Sequence, residues 1–147
     1  MVEFALVLPF LLLLVLGMLD LGKAMNYRND ETHLANEAAR YAAVNKNPGP
    51  ELTLEESIKA QITSSELKNG GGSIVTPVSV SFCFPNGPGA YHIGDPVKAI
   101  VTAEYKFLDF LGFGPSKFIT GTSTMRLEKD WDVGSKYDTS GPTWPCP

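Results

Sequence analysis

Cysteine and histidine are scarce in this chain: of 147 residues, two are Cys and two are His. Four such residues make at most one four-ligand zinc site, and Cys83, Cys146, His33 and His92 match no zinc spacing. No Ser/His/Asp or Cys/His signature surrounds either histidine, so no enzymatic activity and no cofactor are expected. Charge is thin as well. Only 19% of residues carry it, the formal net charge is -4 and the pI is near 5.1. An acidic chain is a poor nucleic-acid binder, because duplex affinity comes mainly from Lys and Arg meeting phosphates. The glycine run Gly70-Gly71-Gly72 is not followed by Gly-Lys-Ser/Thr, which excludes a phosphate loop and leaves a flexible connection. What is present speaks against disorder: 44% of residues are hydrophobic and 10% aromatic.

The apolar residues are piled at one end. From Phe4 to Leu19 there is no charged or hydrogen-bonding side chain. As a helix this run spans roughly 24 Å, a little short of a bilayer core of roughly 30 Å. A cleaved signal peptide would open with basic residues and close on a small-residue cleavage site. This chain opens Met1-Val2-Glu3, and Gly17-Met18-Leu19-Asp20 is a poor site. A plain membrane anchor fits better but leaves Glu3 unexplained, since a carboxylate in a membrane-embedded helix is costly unless paired.

Beyond the run, Ala24, Tyr27, Leu34, Ala35, Ala38, Tyr41, Ala42 and Val44 recur mostly at steps of three and four. Asn26, Arg28, Asn29, Asp30, Asn36, Glu37 and Arg40 lie between them. That is an amphipathic helix with a small-residue face, and nothing breaks it before Asn47-Pro48-Gly49-Pro50. One helix is therefore predicted over about 3–46, with Pro9 and Gly17 as kink points. The chain divides into this helix, residues 1–46, and a head, residues 47–147.

Val2-Glu3-Phe4-Ala5-Leu6-Val7-Leu8-Pro9, the leucines after it, Asp20, and Asn36-Glu37-Ala38-Ala39-Arg40-Tyr41-Ala42-Ala43-Val44 resemble the N-terminal signature of TadE-like pseudopilins, a type IV pilin-like family of tight-adherence pili. A weaker echo is Ser123-Thr124-Met125-Arg126-Leu127-Glu128 near the end. The resemblance implies a structural subunit held first in the cytoplasmic membrane and then polymerised into a surface filament for attachment. Copies of the same chain would be its partners, with a prepilin peptidase and the pilus assembly machinery. It implies an assembly helix carrying Glu3, Phe4, Leu6, Pro9, Leu13, Leu16, Asp20, Tyr27, Leu34 and Tyr41. Pilins usually bear the acid at the fifth mature position, whereas here it is the third. The basic leader of a precursor is not in the sequence, which fits a mature form; an initiator Met1 is the other reading. Two roles stand for Glu3: pairing with the free amine of a neighbouring subunit to set register, or sitting favourably in the first helical turn.

In the head, Thr53 and Glu56 form a capping-box pattern, and Leu54, Ile58, Ile62 and Leu67 supply the apolar face of a second helix ending at Asn69-Gly70. Three alternating segments follow, around Val78–Phe84, Val97–Phe107 and Ile119–Glu128. The expected fold is α+β: a long N-terminal helix, then one helix packed on a three-stranded antiparallel sheet. The connection Leu108–Phe118 is unusually apolar, and Phe110, Leu111 and Phe113 serve either as an exposed interface or as a closure of the small core.

An extracytoplasmic head permits a Cys83–Cys146 disulfide tying the Pro-rich tail to the first strand, with an intersubunit bond or free thiols as alternatives. His33 and Glu37 share a helix face, but a solvated surface explains them better than a metal. Glu128, Asp130, Asp132 and Asp138 lack the spacing of a calcium loop, so no metal is expected there.

Overall fold

A computed structural model describes residues 2–46, 53–89, 91–109, 114–131 and 146, with side chains from Phe4 onward. Helix α1, Val2–Ala43, is followed by two short helices, α2 (Leu54–Ala60) and α3 (Ser65–Asn69). Strands β1 (Ile74–Cys83), β2 (Pro96–Lys106) and β3 (Ser116–Arg126) form an antiparallel sheet in the order β1-β2-β3. The α+β architecture and the long first helix are as the sequence predicts.

α1 stops a little before the proline-rich breaker. Asn45 takes a left-handed conformation, φ 47°. The N–H of Asn45 donates to the Ala42 carbonyl and that of Lys46 to the Tyr41 carbonyl, a Schellman closure built on Asn instead of Gly. The expected second helix is two helices. Thr53 and Glu56 make the reciprocal capping box that starts α2. α2 ends at Gln61, and Ser64 caps a new start by accepting from the Leu67 N–H. Ile62 and Leu67 both still reach the core, so the break redirects the backbone without losing either apolar contact. Gly70, Gly71 and Gly72 all have positive φ and turn the chain into β1.

β1 starts earlier than its alternation suggests, because Pro77 lies within an irregular stretch where the β1–β2 register shifts between Ile74 and Ser79. Such bulges are where a strand tolerates proline. β2 is the central strand. Its inner positions Val97, Ala99, Val101, Ala103 and Tyr105 are buried, and β3 pairs with it along its whole length. The distal half of α1 covers β2 and β3, while α2 and α3 cover β1. Ala24, Tyr27, Leu34, Ala35, Ala38, Ala39 and Ala42 therefore belong to the same core as Val80, Leu54 and Ile58. Small residues here let the helix lie close on the sheet. The disulfide Cys83–Cys146 is formed, with Cα atoms 5.5 Å apart.

Candidate assembly site on the N-terminal helix

α1 is one helix in backbone with two different surroundings, exposed over its first half and packed on the sheet over its second. Over the first half, Phe4, Leu6 and Leu13 are more than half exposed, Pro9 lies exposed within the helix, and Leu16 is half-buried where the head begins. This is the one helix among the described residues long and apolar enough to cross a membrane, and its most apolar window is not buried by the rest of the chain. Pro9 has no N–H to offer the Ala5 carbonyl, which leaves a local weakness in an otherwise continuous ladder. Glu3 is in α1, but its side chain lies outside the described residues, as do Phe110, Leu111 and Phe113.

The second half is committed to the head. Tyr27 and Leu34 are buried in its core and Tyr41 packs against it. These three members of the expected assembly set are thus internal to one subunit, while Phe4, Leu6, Pro9 and Leu13 are displayed.

Asp20 stands at the junction and does something that its place in the sequence did not disclose. One carboxylate oxygen accepts from the Tyr105 hydroxyl at 2.7 Å, and the other accepts from the Leu108 N–H at 2.9 Å. Burial, and then the bond donated to Asp20, push the Tyr105 hydroxyl well above the ordinary tyrosine range, so it stays protonated and donating. One turn on, Lys23 pairs with Glu66 of α3 at 3.0 Å and donates to Ser73 at 3.3 Å, while the Tyr27 hydroxyl donates to Glu66. The Tyr27 and Lys23 bonds hold the Glu66 carboxyl below its ordinary value. Because this pair is well exposed, its ion pairing is worth at most about 1 kcal/mol. Asp20 matters more, since its loss leaves the Leu108 N–H without its acceptor and the buried Tyr105 hydroxyl with only its longer bond, 3.2 Å, to the Asp20 carbonyl. Asp20→Ala is expected to cost about 1–3 kcal/mol of stability and to speed hydrogen exchange at the Leu108 amide. Unchanged exchange at Leu108 would show that Asp20 does not fasten the head.

Farther along, Glu31 is fully buried on the core face of α1, and neither carboxylate oxygen has a hydrogen-bond partner. Burial, the largest influence on it, raises its pKa from 4.5 to about 8, against lowering by the Ala103 backbone and Arg28. Its burial is hidden in the sequence because Asn29-Asp30-Glu31-Thr32-His33 looks uniformly wet. Its phase gives it away: Glu31 lies four residues after Tyr27 and four before Ala35, both core positions.

His33 and Glu37, with Asp30, line a crevice of about 280 Å³ against the α2–α3 link. Among the described residues no three His, Cys, Asp or Glu side chains gather as a metal site. Asp130 instead accepts from the Ile93 N–H at 2.9 Å, while Asp132 and Asp138 lie outside the described residues.

The family model described as TadE-like protein matches residues 1–40. Over those residues the N-terminal helix is similar to that family. No curated protein and no solved structure matches the chain. The TadE-like segment covers the displayed apolar half of α1, the Asp20 junction and Glu31, and it stops just before the Schellman closure. The sheet lies beyond the matched segment. What the TadE-like helix brings is one surface that the chain leaves uncovered and one that the chain covers itself.

Proposed function

We propose that this chain is a structural, non-catalytic pilin-like subunit that polymerises through α1 into an extracellular filament used for surface attachment. The observation that carries the reading is the uncovered apolar half of a helix whose other half is the core of a folded head. Sixteen apolar residues from Phe4 to Leu19 need a non-aqueous surrounding. Lipid supplies it before assembly and the same helix of other copies supplies it afterwards. In this reading the matched TadE-like segment is the polymerising element, and its partners are other copies, a prepilin peptidase and the machinery of a tight-adherence pilus. Glu3 would meet the N-terminal amine of a neighbour and fix the register of packing, a use of buried ion pairs better attested than net stabilisation.

Electron microscopy of sheared cell-surface material, with mass spectrometry of its subunits, tests the reading. Filaments containing this chain are expected, and Glu3→Ala is expected to leave a folded, membrane-bound subunit that no longer assembles. Normal filaments from Glu3→Ala would remove Glu3 from the assembly role. A chain confined to the membrane fraction would identify a monomeric anchored module instead, and rare incorporation at filament ends would identify a minor or initiating subunit.

A further inference from the structure

The end of the sheet nearest Asp20 is held at the level where α1 emerges from its apolar run. Tyr105 donates to Asp20, and the pairing register places Ile74 and Lys117 on either side of Tyr105, with Phe118 opposite Glu104. Leu108 is tied to the same carboxylate. The apolar run of roughly 24 Å is shorter than a hydrocarbon core of roughly 30 Å. A short span is accommodated by drawing flanking residues toward the membrane or by thinning the bilayer. Whatever is fastened to Asp20 is drawn down with it.

That end of the sheet is suited to the position. Phe118 is 70% exposed and Val75 is 49% exposed. The carboxylates at the junction are already engaged: Asp20 by Tyr105 and Leu108, Glu66 by Lys23 and Tyr27, and Asp109 by Lys106 at 3.2 Å. Glu104 is half-buried beside Phe118. Lys117 is exposed and has no ion pair among the described residues. Lys117 and Phe118 leave opposite faces of β3 at this end of the sheet, so a head drawn down to the bilayer can set the ring among the upper acyl chains while the long lysine side chain carries its ammonium to the phosphates.

We propose that the head is a second membrane contact: Phe118 enters the lipid interface and Lys117 meets the phosphates of the headgroups. The subunit is then held at two places, by the helix and by this end of the sheet, which fixes the tilt of the head before any assembly. The inference rests on the reading that the apolar half of α1 crosses the membrane.

The full chain is reconstituted in phosphatidylcholine vesicles whose lipids carry bromine near the top of the acyl chain, and separately in vesicles brominated near the chain end, which report on Leu12→Trp at the middle of the run. Tryptophan is introduced singly as Leu12→Trp, Phe118→Trp or Thr122→Trp, and the emission of the parent protein is subtracted. Thr122 is exposed farther along the same strand, which makes it the control. Most of the added emission of Phe118→Trp is expected to be lost, and little of Thr122→Trp. If Leu12→Trp is quenched while Phe118→Trp is no more quenched than Thr122→Trp, the helix is inserted and the second contact is refuted. If Leu12→Trp is not quenched, the membrane-crossing reading falls and this inference with it. Lys117→Glu combined with Phe118→Trp is expected to reduce the quenching; undiminished quenching would overturn the lysine–phosphate contact.

Discussion

Glu31→Gln is expected to abolish a steep loss of stability that the parent protein suffers between about pH 4.5 and pH 8. The folded carboxyl titrates at about 8 and its ordinary value is 4.5. In that window the folded state binds a proton that the unfolded state has released, so stability falls as pH rises. The contribution is fully present below pH 4.5 and is gone above pH 8. At 1.36 kcal/mol for each tenfold change in proton affinity, the full swing is about 4–5 kcal/mol, a large share of a small domain's stability. Glu66 does not mask it, because its folded carboxyl titrates below the ordinary value and both states are ionised there through most of the window. Gln keeps the shape and discards the charge. Its buried amide still lacks partners, so below pH 4.5 it should match the parent within about 1–3 kcal/mol, and above pH 8 it should be the more stable protein. Denaturant unfolding of the detergent-solubilised full chain at pH 4.5, 6.5 and 8.5 measures this. A parent stability that is flat or rising across that range would show that Glu31 is hydrated or paired.

Glu31 also marks where sequence reading fails. Composition and periodicity disclosed the long helix, because sixteen apolar residues and an alanine-rich stripe are strong signals. They disclosed three strands through alternation, and the capping box at Thr53, whose chemistry is local. They missed the partition of the second helix, since Ile62 and Leu67 stay in phase with an unbroken one and only the competing cap at Ser64 divides it. They missed Asp20 as a fastening because its partners lie 85 and 88 residues away, and nothing local announces a hydroxyl and an N–H at that range. In the sequence Tyr27 and Leu34 are indistinguishable in role from Phe4 and Leu13, because one helix carries all four. Only the position of the sheet separates those that the subunit covers from those that it displays.

The same sheet explains the glycine in the middle of β3, which carries the second large effect. Gly121 faces the backbone of α1 so closely that an added Cβ would lie 2.4 Å from the Glu31 carbonyl carbon, 2.5 Å from its oxygen and 2.5 Å from the Thr32 nitrogen. Backbone atoms of a helix cannot step aside as a side-chain tip can. Gly121→Ala must therefore push α1 off β3, against the close approach that Ala35, Ala38 and Ala42 make possible along the same face. Overpacking of this kind costs about 1–3 kcal/mol, and Gly121→Val should exceed the alanine by the volume of two more methyl groups. The separation has a second consequence. A helix lifted from the sheet at Glu31 admits water to the carboxylate and lowers its pKa toward 4.5, so Gly121→Ala should flatten the pH dependence as well as lower the stability at acid pH. Its penalty should be largest near pH 4.5, where the parent retains the full contribution, and smaller near pH 8, where part of the cost of a buried charge is relieved. In the Glu31→Gln background the penalty should lose this pH dependence, a coupling that a double-mutant cycle reads directly. Equal penalties at both pH values in the parent background would mean that the helix does not move at Glu31, and that Gly121 is accommodated by bending β3 alone.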